Sequence, residues 1–266
     1  MMQIYEKLAV LGRMAVSRPG DIPALFRDRA NNHRYRKNLP SHGPVEGVFS
    51  RIRLAVPNRT DLEQFEEIWV GQAYGMREDF VPKPHWTVVD VGANVGCFSL
   101  WAAAHMKKGR IWAFEPVPAT FSYLQQNIVG NRQRWPLVQI QAHSYAVTDT
   151  SGTLSMLIVA ESTGWNRLIA EEVMARETRP VIQVPAKPLD SLLPETPVDL
   201  LKVDVEGAEL QVLRGAARTL LGTTRVVMEY HSADLLRESW QLLETAGFRL
   251  ILVTEGPNIG AAYFRR

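Results

Sequence analysis

Five ionisable side chains in the second half of the chain stand at spacings that suit proton chemistry. Lys202, Asp204 and Glu206 recur at period two in VDLLKVDVEGAELQVLRGA, and Glu229 and His231 do the same at the end of RVVMEYH. Period two puts each set on one face of a strand, and charges ending an otherwise apolar strand are costly unless they face a cleft. If the two strands are neighbours, their carboxyl ends bring Asp204, Glu206, Glu229 and His231 together. Such a group suits deprotonation of a weak nucleophile such as a hydroxyl. His231 is the expected base, because an unperturbed imidazole titrates near neutrality, with Glu229 orienting it or contacting the substrate. Alternatively, Asp204, Glu206 and His231 could hold a divalent cation such as Mg2+; the metal-free base is favoured. A purely structural reading has Glu206 capping the next helix, Lys202 pairing with Asp204 and His231 starting a helix.

A second set of residues reads as a cofactor cradle. TVVDVGANVGCF, residues 87–98, is a β-branched run that ends in a glycine-spaced turn and opens into a helix, the first unit of a parallel α/β sheet. Gly92 and Gly96 leave no side chain between backbone and ligand, and Asn94 tolerates positive φ. The D-x-G-x-N-x-G pattern departs from the G-x-G-x-x-G of pyrophosphate-binding turns, and no Gly-Lys-Ser/Thr follows. It fits a cofactor without phosphate, such as S-adenosylmethionine. Another short strand ends in Glu115-Pro116, 25 positions after Asp90, where an acid accepts both hydroxyls of an adenosine ribose. The cofactor set is thus Asp90, Gly92, Ala93, Asn94, Gly96, Glu115 and Pro116, with Asp204 beside the turn. Ser144, Tyr145 and Ala146 end the third parallel strand, where an adenine would lie. Tyr74, in a turn before the first core strand, is either a core aromatic or part of a lid over the cofactor.

These sites need a large scaffold, and 266 residues with 46% hydrophobic composition supply one α/β core. The expected division is an N-terminal extension over residues 1–60 and a catalytic domain over 61–266. In the extension, apolar residues at helical spacing over 3–16 could cover the domain, pair with a second copy in a homodimer or lie on a membrane, and docking on the domain or a partner is favoured. The basic run 27–37 reads as a solvated face that could also steer an anionic substrate. Residues 48–56 alternate as a half-buried strand, with Ile52, Leu54 and Val56 on one face and Arg51, Arg53 and Ala55 on the other. A helical patch covers 62–69. Further core strands are expected at 137–142 and 153–159, around a helix at 119–130. Thirty Lys+Arg against 28 Asp+Glu leave a net charge of +2, which gives no reason to expect nucleic acid as a partner. The single cysteine, Cys97, suits a reducing cytoplasm and reads as a packing residue. No apolar stretch is long enough for a transmembrane segment, and charges among the first residues make a poor signal peptide.

VVDVGANVGCFSL, AFEPVPATF, PLDSLLP and DLLKVDVEGAELQVLRGA resemble the blocks of the FkbM-type S-adenosylmethionine-dependent methyltransferases, from about Leu62 to near the C-terminus. The resemblance implies a class I methyltransferase fold, a Rossmann-like seven-stranded sheet whose last strand, residues 261–264, runs antiparallel. It also implies methylation of a hydroxyl oxygen on a small molecule such as a sugar, glycoside or natural product. The chain departs from the pattern in its long N-terminal region and in Ser162-Thr163-Gly164-Trp165-Asn166. Trp165, Asn166, Arg167 and Lys202 are the candidate acceptor contacts, Trp165 through stacking on a ring face. Two other classes stay open: a non-catalytic cofactor-binding module of this fold, and a nicotinamide-dependent oxidoreductase, which would want a glycine where Asn94 stands.

Overall fold

The computed structural model describes residues 45–49, 52–69, 71, 73–170, 174, 176–254 and 259–266. The helix expected at 3–16 and the basic run 27–37 lie outside the described residues. Along the chain come β1 (Val45–Phe49), β2 (Ile52–Val56), α1 (Leu62–Trp69), β3 (Thr87–Val91), α2 (Cys97–Met106), β4 (Lys108–Phe114), α3 (Pro118–Asn131) and β5 (Leu137–His143). A small second sheet follows, from β6 (Ala146–Val147), β7 (Gly152–Leu157), β8 (Arg167–Leu168) and β9 (Val181–Lys187). Then come α4 (Leu189–Leu192), β10 (Leu200–Val203), α5 (Glu209–Arg214), α6 (Ala217–Leu221), β11 (Arg225–Tyr230), α7 (Ala233–Thr245), β12 (Arg249–Thr254) and β13 (Gly260–Arg265).

The main sheet has seven strands in the order β12-β13-β11-β10-β3-β4-β5. The pairs from β11 across to β5 are parallel, whereas β13 runs antiparallel to both β11 and β12. This is the expected architecture, including the reversed final strand. Alternate residues divide between two cores: Val88, Leu200 and Val227 join the core on one face, and Val89, Leu201 and Val226 the core on the other. With both faces covered, the central strands read as continuous apolar runs. Helix α2 is buried almost all round, and α3 starts with proline in its first turn, where no N–H is needed. No helix among the described residues is long and apolar enough to cross a membrane.

Two expectations change. Residues 48–56 are not one strand: β1 and β2 form an antiparallel hairpin, so Val48 and Phe49 belong to the partner of Ile52–Val56. Ala55, placed on the outer face with Arg53, is buried because α3 packs over it. Asn127 and Asn131, one turn apart on α3, point their carboxamides at the β2 backbone and mimic a neighbouring strand. Asn127 accepts from Ala55 N–H at 2.7 Å and donates to its carbonyl at 2.8 Å, and Asn131 does the same for Arg53 at 3.0 and 2.6 Å. The strand expected at 153–159 is β7, which pairs in the second sheet with β8 and β9 and not in the core sheet. That sheet lies in the connection between β5 and β10, and its edge contributes to the cavity described next.

Candidate active site

The site is built where β3, β4, β10 and β11 end. Gly92 follows β3 at φ 76°, and a Cβ there would stand 1.7 Å from the Asp204 carbonyl oxygen. Only glycine lets the exits of β3 and β10 touch in this way. Gly92 and Ala93 both donate N–H bonds to the Phe114 carbonyl, at 3.1 and 2.9 Å, which ties the turn to the end of β4. Asn94 sits at φ 49° with its N–H 3.1 Å from Glu115 Oε2, and Glu115 Oε1 accepts from Val117 N–H at 2.9 Å. Burial pushes the Glu115 carboxyl up to about 7, against the pull of those two N–H groups.

Lys202 is 2% exposed, and its Nζ is 3.1 Å from Asp90 Oδ1, 3.3 Å from Asp204 Oδ2 and 2.6 Å from the Gly92 carbonyl. Burial favours the neutral amine, but the two carboxylates win and hold the ammonium well above its usual range. Ser99 donates to the other Asp90 oxygen at 2.7 Å. The charged row at the end of β10 therefore begins as a buried ion triad that fixes the glycine turn.

Around it, the acids and the imidazole expected to cluster do meet. The Tyr74 hydroxyl lies 3.0 Å from Asp204 Oδ2 and 3.2 Å from Glu229 Oε2. It has one proton and can donate to only one of them at a time. The charge of Asp204, then burial, raises the Glu229 carboxyl well above the usual carboxylate range, so a protonated Glu229 can donate in its turn. His231 stands between two glutamates, with Nδ1 2.8 Å from Glu209 Oε1 and Nε2 3.3 Å from Glu206 Oε2; Glu229 Oε1 is 4.0 Å away. Burial alone would lower its pKa, but the bonds to Glu206 and Glu209 override this and push it up to about 11. His231, expected as the resting base, is thus bracketed by two glutamates that favour its protonated form. Glu206, held at φ 54°, has its carboxyl raised by burial.

A cleft opens above the turn, bordered by the ends of β3, β4 and β10 and by the edge of the second sheet. Of the expected cofactor residues, Gly92, Asn94, Glu115, Pro116, Tyr145, Ala146 and Asp204 line it. Asp90, Ala93 and Gly96 lie behind its wall: Asp90 is fully buried against Lys202 and Ser99, Ala93 packs with Ala113 and Leu124, and Gly96 starts α2 at φ 94°. Ser144 does not line it. Tyr74 is a core aromatic, edge-on to Phe98 at 5.2 Å, whose hydroxyl reaches the acids. Of the acceptor candidates, Asn166 lines the cleft, Trp165 is 55% exposed beside it, and Arg167 is part of β8. Lys202 cannot touch an acceptor because it is buried and paired. Glu206 lines the cleft, with His231 and Glu229 behind it.

Sequence reading missed Gln64, Met156, Thr163 and Glu209. Glu209 is fully buried and accepts from Gly207 N–H at 2.9 Å as well as from His231. The repeated acid in EGAE was a signal for it, hidden by the ordinary reading of an acid in a first helical turn.

The acidic groups also decide what the cleft suits. Among the described residues its lining includes Glu115, Asp204 and Glu206 but no lysine or arginine, which disfavours a pyrophosphate and favours a ligand carrying positive charge. Asp204, Glu206 and His231, the residues expected for a divalent cation, have donor atoms within 4.8 Å of one another; Asp204 is also paired with Lys202, and His231 with Glu206 and Glu209.

The family model described as the Methyltransferase FkbM domain matches residues 90–250. Methyltransferase 1 of Beauveria bassiana is 34% identical over 170 residues, a match that spans 56% of this chain and 65%, just under two thirds, of that protein. The 31-O-demethyl-FK506 methyltransferase FkbM of Streptomyces tacrolimicus is 27% identical over 217 residues, covering 70% of this chain and 81% of the relative. Hexuronic acid methyltransferase AglP of Haloferax volcanii is 27% identical over 198 residues, covering 71% and 76%. With the class I sheet and the glycine-turn cleft already in place, the match over residues 90–250 makes this chain a member of the FkbM family of S-adenosylmethionine-dependent methyltransferases.

Proposed function

We propose that the chain methylates a hydroxyl oxygen of a small molecule, a sugar, glycoside or other natural product, with S-adenosylmethionine as donor. The observation that carries this reading is the cleft at the glycine turn, lined among the described residues by three acids and no basic residue. When bound, the cofactor supplies an electrophilic methyl group on a sulfonium. Glu115 would accept the ribose hydroxyls, and Gly92 and Asn94 would border the cofactor with backbone alone. Asp204, paired with Lys202, would face its positive end.

Transfer to an aliphatic oxygen needs alignment and removal of one proton. Glu206 is the group for the proton: it lines the cleft, and burial raises its carboxyl toward the range in which a base works best near neutrality. His231 steadies the Glu206 carboxylate and keeps its own proton. The acceptor class draws on the names of two relatives, one giving 31-O-demethyl-FK506 and the other a hexuronic acid. The half-exposed Trp165 offers a ring face beside the cleft for such a molecule.

Calorimetric titration with S-adenosylhomocysteine tests the reading, with NAD as control. Wild type should bind the first and not the second, and Glu115→Ala should weaken binding about 10- to 100-fold, as loss of charged hydrogen bonds implies. Binding of NAD alone would replace the methyltransferase with an oxidoreductase.

A further inference from the structure

Resting on that reading, we propose that Asp61 is a positioning residue of the cofactor site, holding a strap of chain over the glycine turn and thereby setting how long the cofactor stays. The strap is residues 160–166, between β7 and β8. Five polar contacts from the segment before α1 grip it. Asn58 Nδ2 donates to the Ala160 carbonyl at 3.1 Å, and Thr60 Oγ1 donates to the Glu161 carbonyl. Asp61 Oδ1 accepts from Thr163 N–H at 2.8 Å and from Ser162 Oγ at 3.1 Å, with Thr163 Oγ1 also at 3.1 Å. Asp61 is 2% exposed, and its other oxygen takes the Asn58 N–H at 3.1 Å. A carboxylate so buried and so fully bonded fixes what it holds.

The grip reaches the cofactor wall through Thr163. Its hydroxyl lies 2.7 Å from Asn94 Oδ1, and Asn94 Nδ2 donates to Gln64 Oε1 at 3.0 Å. Thr163, Asn94 and Gln64 all line the cleft, whereas Asp61 does not. Asn94 also occupies the left-handed region at φ 49°, a conformation that persists when its surroundings hold it. Asp61 therefore acts at one remove: it sets Thr163, and Thr163 sets the carboxamide of the strained turn residue. Loosening the carboxylate frees one wall of the cleft and leaves Glu115 and the buried ion triad in place.

Stopped-flow binding of S-adenosylhomocysteine to the full chain tests this, read by tryptophan fluorescence. Asp61→Ala should raise the dissociation rate about tenfold, equivalent to about 1.4 kcal/mol, with the association rate little changed. Thr163→Val should give a smaller rise of the same kind, and Thr163→Ser, which keeps the hydroxyl, should restore the wild-type rate. If Asp61→Ala does not fold, the two Thr163 variants decide. A folded Asp61→Ala with wild-type dissociation would overturn the role, as would Thr163→Val and Thr163→Ser behaving alike. Failure of the wild type itself to bind would remove the methyltransferase reading, and this role with it; binding that ignores the substitutions removes only the role.

Discussion

The two halves of the cleft are made from different materials. On the cofactor side, β3 and β4 present mostly backbone: a glycine turn, two N–H groups on the Phe114 carbonyl, and one acid, Glu115, with a backbone donor on each oxygen. On the opposite side, β10 and β11 present side chains that hold one another. Asp90, Lys202 and Asp204 form one chain of charges and Glu206, His231 and Glu209 another, with Tyr74 and Glu229 between them. A ligand common to many reactions can be met by backbone geometry, which tolerates little change. Proton transfer instead needs groups whose charge is tuned, and here Lys202 and His231 each sit between two acids.

That contrast can be broken most forcefully at its joint. Lys202 belongs to both halves, since its Nζ binds the Gly92 carbonyl and the two aspartates. Lys202→Met should destabilise the fold by roughly 3–5 kcal/mol, because it strands buried carboxylates; urea unfolding measures it, and a loss below about 1 kcal/mol would mean that the triad does not carry the turn. A second test sharpens the acceptor side. The His231 imidazole should stay protonated in the folded wild type to about pH 11, and Glu209→Gln should move its titration down by at least one unit. An NMR titration of the histidine ring reads both, and titration near 6.5 in wild type would restore His231 as the base. A third test reads the pH dependence of stability. A His231 pKa raised from 6.5 to about 11 stabilises the fold fully below pH 6.5, and that contribution disappears as pH rises toward 11. Glu115, raised from 4.5 to about 7, loses its share in the same direction but over pH 4.5–7. Melting temperature should therefore decline with pH through both windows, and His231→Gln should flatten only the alkaline part.

The cofactor half was the more legible in sequence, for the same reason. Backbone geometry writes itself into residue type: β-branched residues ending in Gly92-Ala93-Asn94, and an acid 25 positions after Asp90, placed the turn and Glu115 before any coordinates. Period-two charges likewise foretold that Asp204, Glu206, Glu229 and His231 would meet. Of the pairings, they foretold Lys202 with Asp204 and no other. Lys202, also expected as an acceptor contact, is buried; His231, expected as a base, is bracketed by two glutamates; and one of these, Glu209, was not singled out in sequence. Partner choice is a tertiary matter that local spacing does not encode. The second sheet escaped for a related reason, since the alternation of residues 153–159 announces a strand and not the sheet it joins. The hairpin escaped because no glycine or asparagine marks the reversal between Phe49 and Ile52.

The place of β13 in the sheet has a temporal consequence. Residues 260–265 sit between β11 and β12, both of which precede them in the chain. As the protein is synthesised, β11 is finished while one of its edges still lacks a neighbour, and β12 has nothing to pair with until the last strand emerges. An open edge of that kind is a template for another chain. The nascent protein thus carries a risk of mispairing until β13 emerges, and that strand, by filling the gap, joins the two parts of the sheet in one step.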